Sequence, residues 1–280
     1  MSQKQDRSDG VPSRLKPERP VALVTGASRG IGASVARELA DRGARVLLCA
    51  RGVDGCRELA EQLGEDRAAA FAMDVGTAAG VEAGLAEAKD LALERFGSDR
   101  IDWLVNNAGF ARSVSLAKSL GGEVDEFEAH LAVNFHGAVR LVHGLVPGMR
   151  ERGYGAVVNV ASSAGLVGYG YVVAYCASKH ALVGYTRAAA LELARSGVFV
   201  HAVCPHYVDT PMLTASIENM KAQTGRSEAD LREFVAGQNP DGALMSPETV
   251  AQAVADQLEA TRTGLVWELV GNERQERNEP

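Results

Sequence analysis

Short apolar runs alternate with amphipathic helical stretches along nearly the whole chain, and this alternation limits the fold more than any other feature. VALVT (21–25) is a compact β-branched run, and IGASVARELADRG (31–43) has helical spacing and ends at a glycine. ARVLLCA (44–50) predicts a second strand, followed by a helix through Cys56 to Leu63. AAAFAMDV (68–75) is strand-like, Val81 to Phe96 helical, and IDWLVNNAG (101–109) a strand running into a turn. A long helical region (about 124–152), a strand GAVVNVAS (155–162), a helix carrying Tyr175 and a strand VFVHAVC (198–204) come next. MSPETVAQAVADQLEA (245–260) reads as a helix with Ser246 as N-cap and Pro247 at its first position, and GLVWELVG (264–271) supplies a last strand. Strands that read as unbroken Val/Leu/Ala runs are buried on both sides, as in a parallel sheet with helices on both faces. The predicted class is therefore α/β, one doubly wound domain.

Residues 20–271 contain no linker-like stretch and no repeat, so they are assigned to that domain. Residues 1–19 are polar and charged and read as a flexible leader, and 272–280 as a polar tail. The segment 210–243 has weak periodicity and exceeds a normal connection; it is expected to be a substrate-side flap. At 46% hydrophobic residues the chain has ample material for a core, and its net charge of −7 offers no basic field for nucleic acid. No run approaches the ~20 apolar residues of a membrane span. Cys49, Cys56, Cys176 and Cys204 lack the paired spacing of a zinc site, which suggests reduced thiols and a cytoplasmic protein.

The first strand leads directly into TGASRGIG (25–32). A glycine-rich strand-to-helix turn lets backbone N–H groups approach an anion, and the helix dipole adds to the attraction. The spacing is G-x3-G-x-G rather than G-x-G-x-x-G, and no Gly-Lys-Ser/Thr ending marks a triphosphate loop. Gly26, Ser28, Arg29, Gly30, Ile31 and Gly32 are thus candidates for holding a dinucleotide pyrophosphate. An NAD site usually offers a carboxylate at the end of the second strand; here that strand ends Cys49-Ala50-Arg51. Arg29 and Arg51 converging on one corner suit a 2′-phosphate, so NADP(H) is expected over NAD(H).

Taken with DV at 74–75, NNAG at 106–109, VNF around Asn134, Ser162, the YxxxK of Tyr175 and Lys179, and CPHYVDTPM at 204–212, the glycine turn makes residues 20 to about 265 resemble the short-chain dehydrogenase/reductase family. The resemblance implies a single-domain Rossmann fold and an oxidoreductase working on CH–OH or C=O groups. It implies that Asp74 and Val75 contact the adenine, and that Asn107, Ala108 and Gly109 shape the floor beneath the cofactor. Val208 and Thr210 would meet the nicotinamide carboxamide. Asn134 would bend its helix and hold a water, and Ser162, Tyr175 and Lys179 would carry the chemistry. One position departs from the pattern: the family usually has Pro-Gly where this chain has Pro205-His206. A histidine there either is tolerated at a strand end or lines and narrows the substrate pocket.

Ketone reduction needs a proton on oxygen as well as a hydride on carbon. A free phenol has a pKa of ~10 and bringing it to ~7 takes about 4 kcal/mol. A lysine cation ~4 Å away supplies about that much at an effective dielectric of ~20. Positions i and i+4 share a helix face, so the spacing predicts that Lys179 tunes Tyr175, which also touches the cofactor with it. Ser162 would donate to the developing alkoxide, with Ser163 as the neighbouring alternative, and Asn134 would complete a proton path from Lys179 to solvent. No metal is required for this scheme. Phe110, the segment 165–173, Tyr207, Met212 and Leu213 would form an apolar wall for a medium-sized carbonyl or alcohol substrate. The family resemblance implies a homodimer or homotetramer built on the long helices. The alternative is a nucleotide-binding regulatory or scaffold protein on the same fold, for which a tuned phenol has no use.

Overall fold

The computed structural model describes residues 17–114, 116 and 125–277. One sheet of eight strands forms the centre: β1 (Val21–Thr25), β2 (Arg45–Ala50), β3 (Ala68–Ala72), β4 (Trp103–Asn106), β5 (Gly155–Val160), β6 (Val198–Pro205), β7 (Val266–Val270) and β8 (Glu273–Glu276). Their order is β3-β2-β1-β4-β5-β6-β7-β8. Every pairing is parallel except β7 with β8. β1, β4, β5 and β6 are buried at every residue, as their largely apolar sequences require.

The helices are α1 (Gly30–Asp41), α2 (Asp54–Leu63), α3 (Ala78–Phe96), α4 (Asp125–Leu131), α5 (Gly137–Glu151), α6 (Val173–Leu193), α7 (Pro211–Thr224), α8 (Glu228–Ala236) and α9 (Pro247–Leu258). Residues of α1, α2 and α9 share one core cluster with the strands, while α3 and α5 cover the opposite face. α6 packs beside them over β5 and β6. Ser246 caps α9 as expected, its side chain accepting from the Thr249 amide at 3.1 Å. The predicted long helix over 124–152 is interrupted by a π turn, Ala132–His136, which makes Asn134 protrude from the regular ladder.

Two segments differ from the sequence reading. The flap at 210–243 contains two capped helices, α7 and α8, whose Leu213, Ile217, Leu231 and Val235 close a small core of their own. The C-terminal tail contributes β8, turned back on β7 at Gly271, which has a left-handed φ of 56°. The expected leader falls mostly outside the described residues. Among the described residues, no helix is long and apolar enough to cross a membrane. All four cysteines are unpaired and buried.

Candidate active site

β1 and β4 are sheet neighbours although β2 and β3 follow β1 in the chain, so the connections diverge and leave a crevice beyond their carboxyl ends. The glycine turn enters this crevice. Gly26 and Gly30 have φ of 65° and 57°, a region that side chains other than glycine rarely adopt. At Gly32 the limit is space: a Cβ would lie 2.3 Å from the Gly26 carbonyl oxygen and 2.5 Å from Asn107 Nδ2. Gly32→Ala should therefore cost about 2 kcal/mol by overpacking, read as a lower urea midpoint. An unchanged midpoint would mean the turn is not packed this tightly.

The NNAG stretch is stitched to that turn. Asn107 Nδ2 donates to the carbonyls of Thr25 (2.9 Å) and Gly26 (3.1 Å). Thr25 Oγ1 accepts from the amides of Asn107 and Ala108, both at 3.0 Å. Asn106 continues inward, donating to Asn159 (2.8 Å), which donates to Thr186 on α6 (2.8 Å). This buried polar chain fixes β4, β5 and α6 relative to one another.

The arrangement fits a dinucleotide. Side chains are absent at positions 26, 30 and 32, and the turn opens at the amino end of α1, whose N-cap Arg29 makes no side-chain capping bond. Ser28 lies against α2, where a Cβ on Gly55 would sit 2.7 Å from its carbonyl. Ile31 packs on the core beneath the turn. Arg29 and Arg51 are both exposed, one at the turn and the other just past β2. Asp54, the nearest acid after β2, pairs with Arg57. Asp74 is exposed and accepts from the Gly76 amide (2.9 Å), while Val75 is buried.

Across the crevice, the stretch after β6 returns toward the glycine turn. Thr210 caps α7, and its methyl group would be 3.4 Å from a Cβ on Gly30. Val208 is buried and bridges to Met245. The two predicted cofactor segments therefore face each other.

The predicted catalytic residues meet on one side of this crevice. Tyr175 and Lys179 occupy successive turns of α6, with the Lys179 ammonium 5.8 Å from the Tyr175 ring centroid. Ser162 sits just past β5, where its side chain accepts from the Ala164 amide at 3.1 Å and is near enough to Tyr175 to oppose the rise of its phenol. Ser163, the alternative, pairs with the Tyr169 hydroxyl at 3.0 Å. Asn134 is fully committed to the chain: it brackets Phe110 through the backbone N–H and C=O, both at 3.0 Å, and donates to Ser178 at 3.1 Å. A Cβ on Gly109 would lie 3.0 Å from Asn134 Oδ1 and 3.7 Å from Lys179 Nζ.

Burial moves the phenol away from neutrality rather than toward it. Lys179 does not bring the phenol to neutrality: burial pushes Tyr175 up to about 12, and Ser162 offsets only part of that rise. Lys179 is itself desolvated. It is 4% exposed, donates to the Val160 carbonyl at 2.8 Å, and is pulled down by burial to about 8. The Tyr175 phenol thus stays protonated across the physiological range.

Of the residues expected to form a substrate wall, Phe110 packs on His130 with ring centroids 4.3 Å apart. Tyr207 stands edge-on to Tyr169 (6.1 Å between centroids), and Val167, Tyr171 and Met212 are exposed at the rim. Leu213, by contrast, is buried in the α7–α8 core rather than in a wall. His206 does not line a pocket by itself; its Nε2 bonds Glu268 at 2.8 Å. Sequence reasoning missed His130, which is wholly buried between Phe110 (4.3 Å) and Tyr175 (6.5 Å). A single histidine on a helix carries no pattern that could have signalled it. Thr25, Asn159 and Ser178 were missed for the same reason.

Comparison with known proteins agrees with this geometry. Residues 20–221 match the family described as short chain dehydrogenase. D-threitol dehydrogenase of Mycolicibacterium smegmatis is 38% identical over 255 residues, 90% of each chain. D-beta-hydroxybutyrate dehydrogenase of Cupriavidus necator is 33% identical, covering 89% of this chain and 96% of the relative. Among solved structures, a variant of actinorhodin polyketide ketoreductase with NADPH superposes with a TM-score of 0.81 and 35% identity, covering 91% of this chain and 97% of that one.

Proposed function

Since the chain belongs to the short-chain dehydrogenase family and is an oxidoreductase, we propose that it reduces the carbonyl of a medium-sized, largely apolar substrate with NADP(H), or oxidises the matching alcohol. The observation that carries this reading is the convergence of Ser162, Tyr175 and Lys179 beside a glycine turn that faces Thr210. Bound NADPH supplies the hydride. Ser162 polarises the carbonyl oxygen, an electrostatic contribution to the developing alkoxide. Tyr175 gives its proton to that oxygen, and its high pKa keeps the donor loaded. Lys179 stabilises the phenolate left behind. Asn134 holds Phe110 and Ser178 in place behind them and keeps the π turn open toward Gly109.

The same reading assigns Asp74 and Val75 to the adenine, Asn107, Ala108 and Gly109 to the cofactor floor, and Val208 and Thr210 to the nicotinamide. Exposed Val167, Tyr171 and Met212 support an apolar substrate entrance. A homodimer or homotetramer is part of the proposal, supported by the exposed Leu191 on α6. The unpaired cysteines fit a cytoplasmic setting.

The cofactor preference rests on Arg29 and Arg51, both exposed, with no acid at the end of β2. Hydrogen bonds to a charged group contribute about 1.5–3 kcal/mol each. Replacing both arginines with alanine should thus raise the NADPH dissociation constant at least about a hundredfold and leave that of NADH nearly unchanged. Equal losses for both cofactors, or tighter NADH binding by the wild type, would remove the NADP(H) assignment.

A further inference from the structure

We propose that the C-terminal strand β8 sets the geometry of the nicotinamide side of the crevice through a strut, Arg277–Glu268–His206, which makes His206 a positioning residue. Its cofactor readout rests on the NADP(H) reading above; its structural readout does not. Glu268 lies on β7 opposite Cys204 of β6, so its side chain can reach the residue that follows Pro205. One carboxylate oxygen accepts from His206 Nε2 at 2.8 Å, and the other accepts from Arg277 Nε and Nη2, each at 2.6 Å. The His206 and Glu268 side chains are only 9% and 11% exposed, which strengthens charge-assisted bonds relative to surface pairs.

Arg277 is in turn fixed at the end of β8. Its amide donates to the Val266 carbonyl at 2.7 Å, and its carbonyl accepts from Arg187 of α6 at 2.8 Å. His206 Nδ1 is buried with no partner among the described residues, so the bond to Glu268 is what orients the ring. Directly after His206 come Tyr207 to Thr210. On their other side they are held through their amides: Tyr207 N–H donates to the Asn239 side-chain oxygen (2.9 Å) and Asp209 N–H to the Met245 carbonyl (2.9 Å). The turn carrying Val208 and Thr210 is therefore gripped from the flap by its backbone and from β8 through His206. A glycine at 206 could not transmit the second grip.

Arg274 provides the control. It also anchors β8, but to Asp256 of α9 at 2.6 Å, with no bond toward residues 205–210. Hydrogen exchange of the segment 205–210 in the cofactor-free protein, together with NADPH titration, tests the strut. Arg277→Ala and His206→Ala should each speed exchange of the Tyr207 and Asp209 amides by about tenfold and raise the NADPH dissociation constant severalfold. Because both act through Glu268, the double variant should be little worse than either single one. Arg277→Lys should restore most of the protection, and Arg274→Ala should leave it at the wild-type level. Wild-type exchange in both alanine variants, or equal effects of Arg274→Ala and Arg277→Ala, would overturn the strut. If Arg277→Ala does not fold, His206→Ala compared with Arg274→Ala decides the same point. A wild type that does not bind NADPH would count against the cofactor reading alone, and the exchange comparison would still decide the strut.

Discussion

Tyr175→Phe should lower carbonyl-dependent NADPH oxidation by about a thousandfold, within the range of a lost general acid, while the NADPH dissociation constant stays within about threefold. The substitution removes one oxygen from the enclosed corner where Ser162 meets the phenol and leaves the ring contact with His130 intact. Its two nearest neighbours are poor replacements: Ser162 is a weak acid, and the Lys179 ammonium is directed at the Val160 carbonyl. The pH profile separates the two groups. With the phenol pushed up to about 12, no loss of donor is expected below that value. The decline in reduction expected near pH 8 belongs to Lys179, whose ammonium is held down to about 8. Substantial turnover in the phenylalanine variant would reassign the proton donor.

Lys179→Met should have opposite effects on activity and stability. Turnover falls by about a hundredfold or more, because the phenolate formed on proton transfer loses its nearby cation. Stability at pH 7 rises. The ammonium titrates near 10.5 when exposed and near 8 in the fold, a difference of about 3 kcal/mol against the charged form. Loss of the hydrogen bond to Val160 returns about 1 kcal/mol, so the variant should gain about 2 kcal/mol net. The sign follows from proton counting. Between pH 8 and 10.5 the unfolded chain binds more protons than the folded one, so wild-type stability climbs with pH across that window. The methionine variant should lack the climb. Urea unfolding at pH 7 and pH 10 measures both, and a variant less stable than wild type at pH 7 would contradict the buried-cation reading.

Much of the fold is legible because burial on both faces writes strands as uninterrupted apolar runs. VALVT corresponds residue for residue to β1. β8 was not legible, because ERQE lies fully exposed at the sheet edge and shows no alternation; what forms it is the tight turn at Gly271 and the arginine contacts to Asp256 and Glu268. The flap helices were hidden for a related reason. Each buries only two residues four apart, Leu213 with Ile217 and Leu231 with Val235, too few to stand out against polar neighbours.

At the site, spacing alone located Tyr175 and Lys179 on one helix face, and the motif order brought the glycine turn and Thr210 to one crevice. Spacing could not convey solvation. The sign of the Tyr175 shift depends on how deeply both groups are enclosed, a property of α6 docking over β5 and β6 that no local pattern encodes. His206 is a similar case: the departure from glycine was visible, but its partner Glu268 is 62 residues away in sequence.

The most direct measurement follows the hydride. NADPH carrying deuterium at both positions of the nicotinamide C4 should be incubated with the wild-type protein and a panel of apolar ketones, and the alcohols examined by mass spectrometry. Deuterium bound to the carbinol carbon, with stoichiometric loss of the reduced cofactor, is the predicted result. Tight NADPH binding with no labelled alcohol from any ketone, and no labelled cofactor from deuterated alcohols in reverse, would contradict redox catalysis at Tyr175.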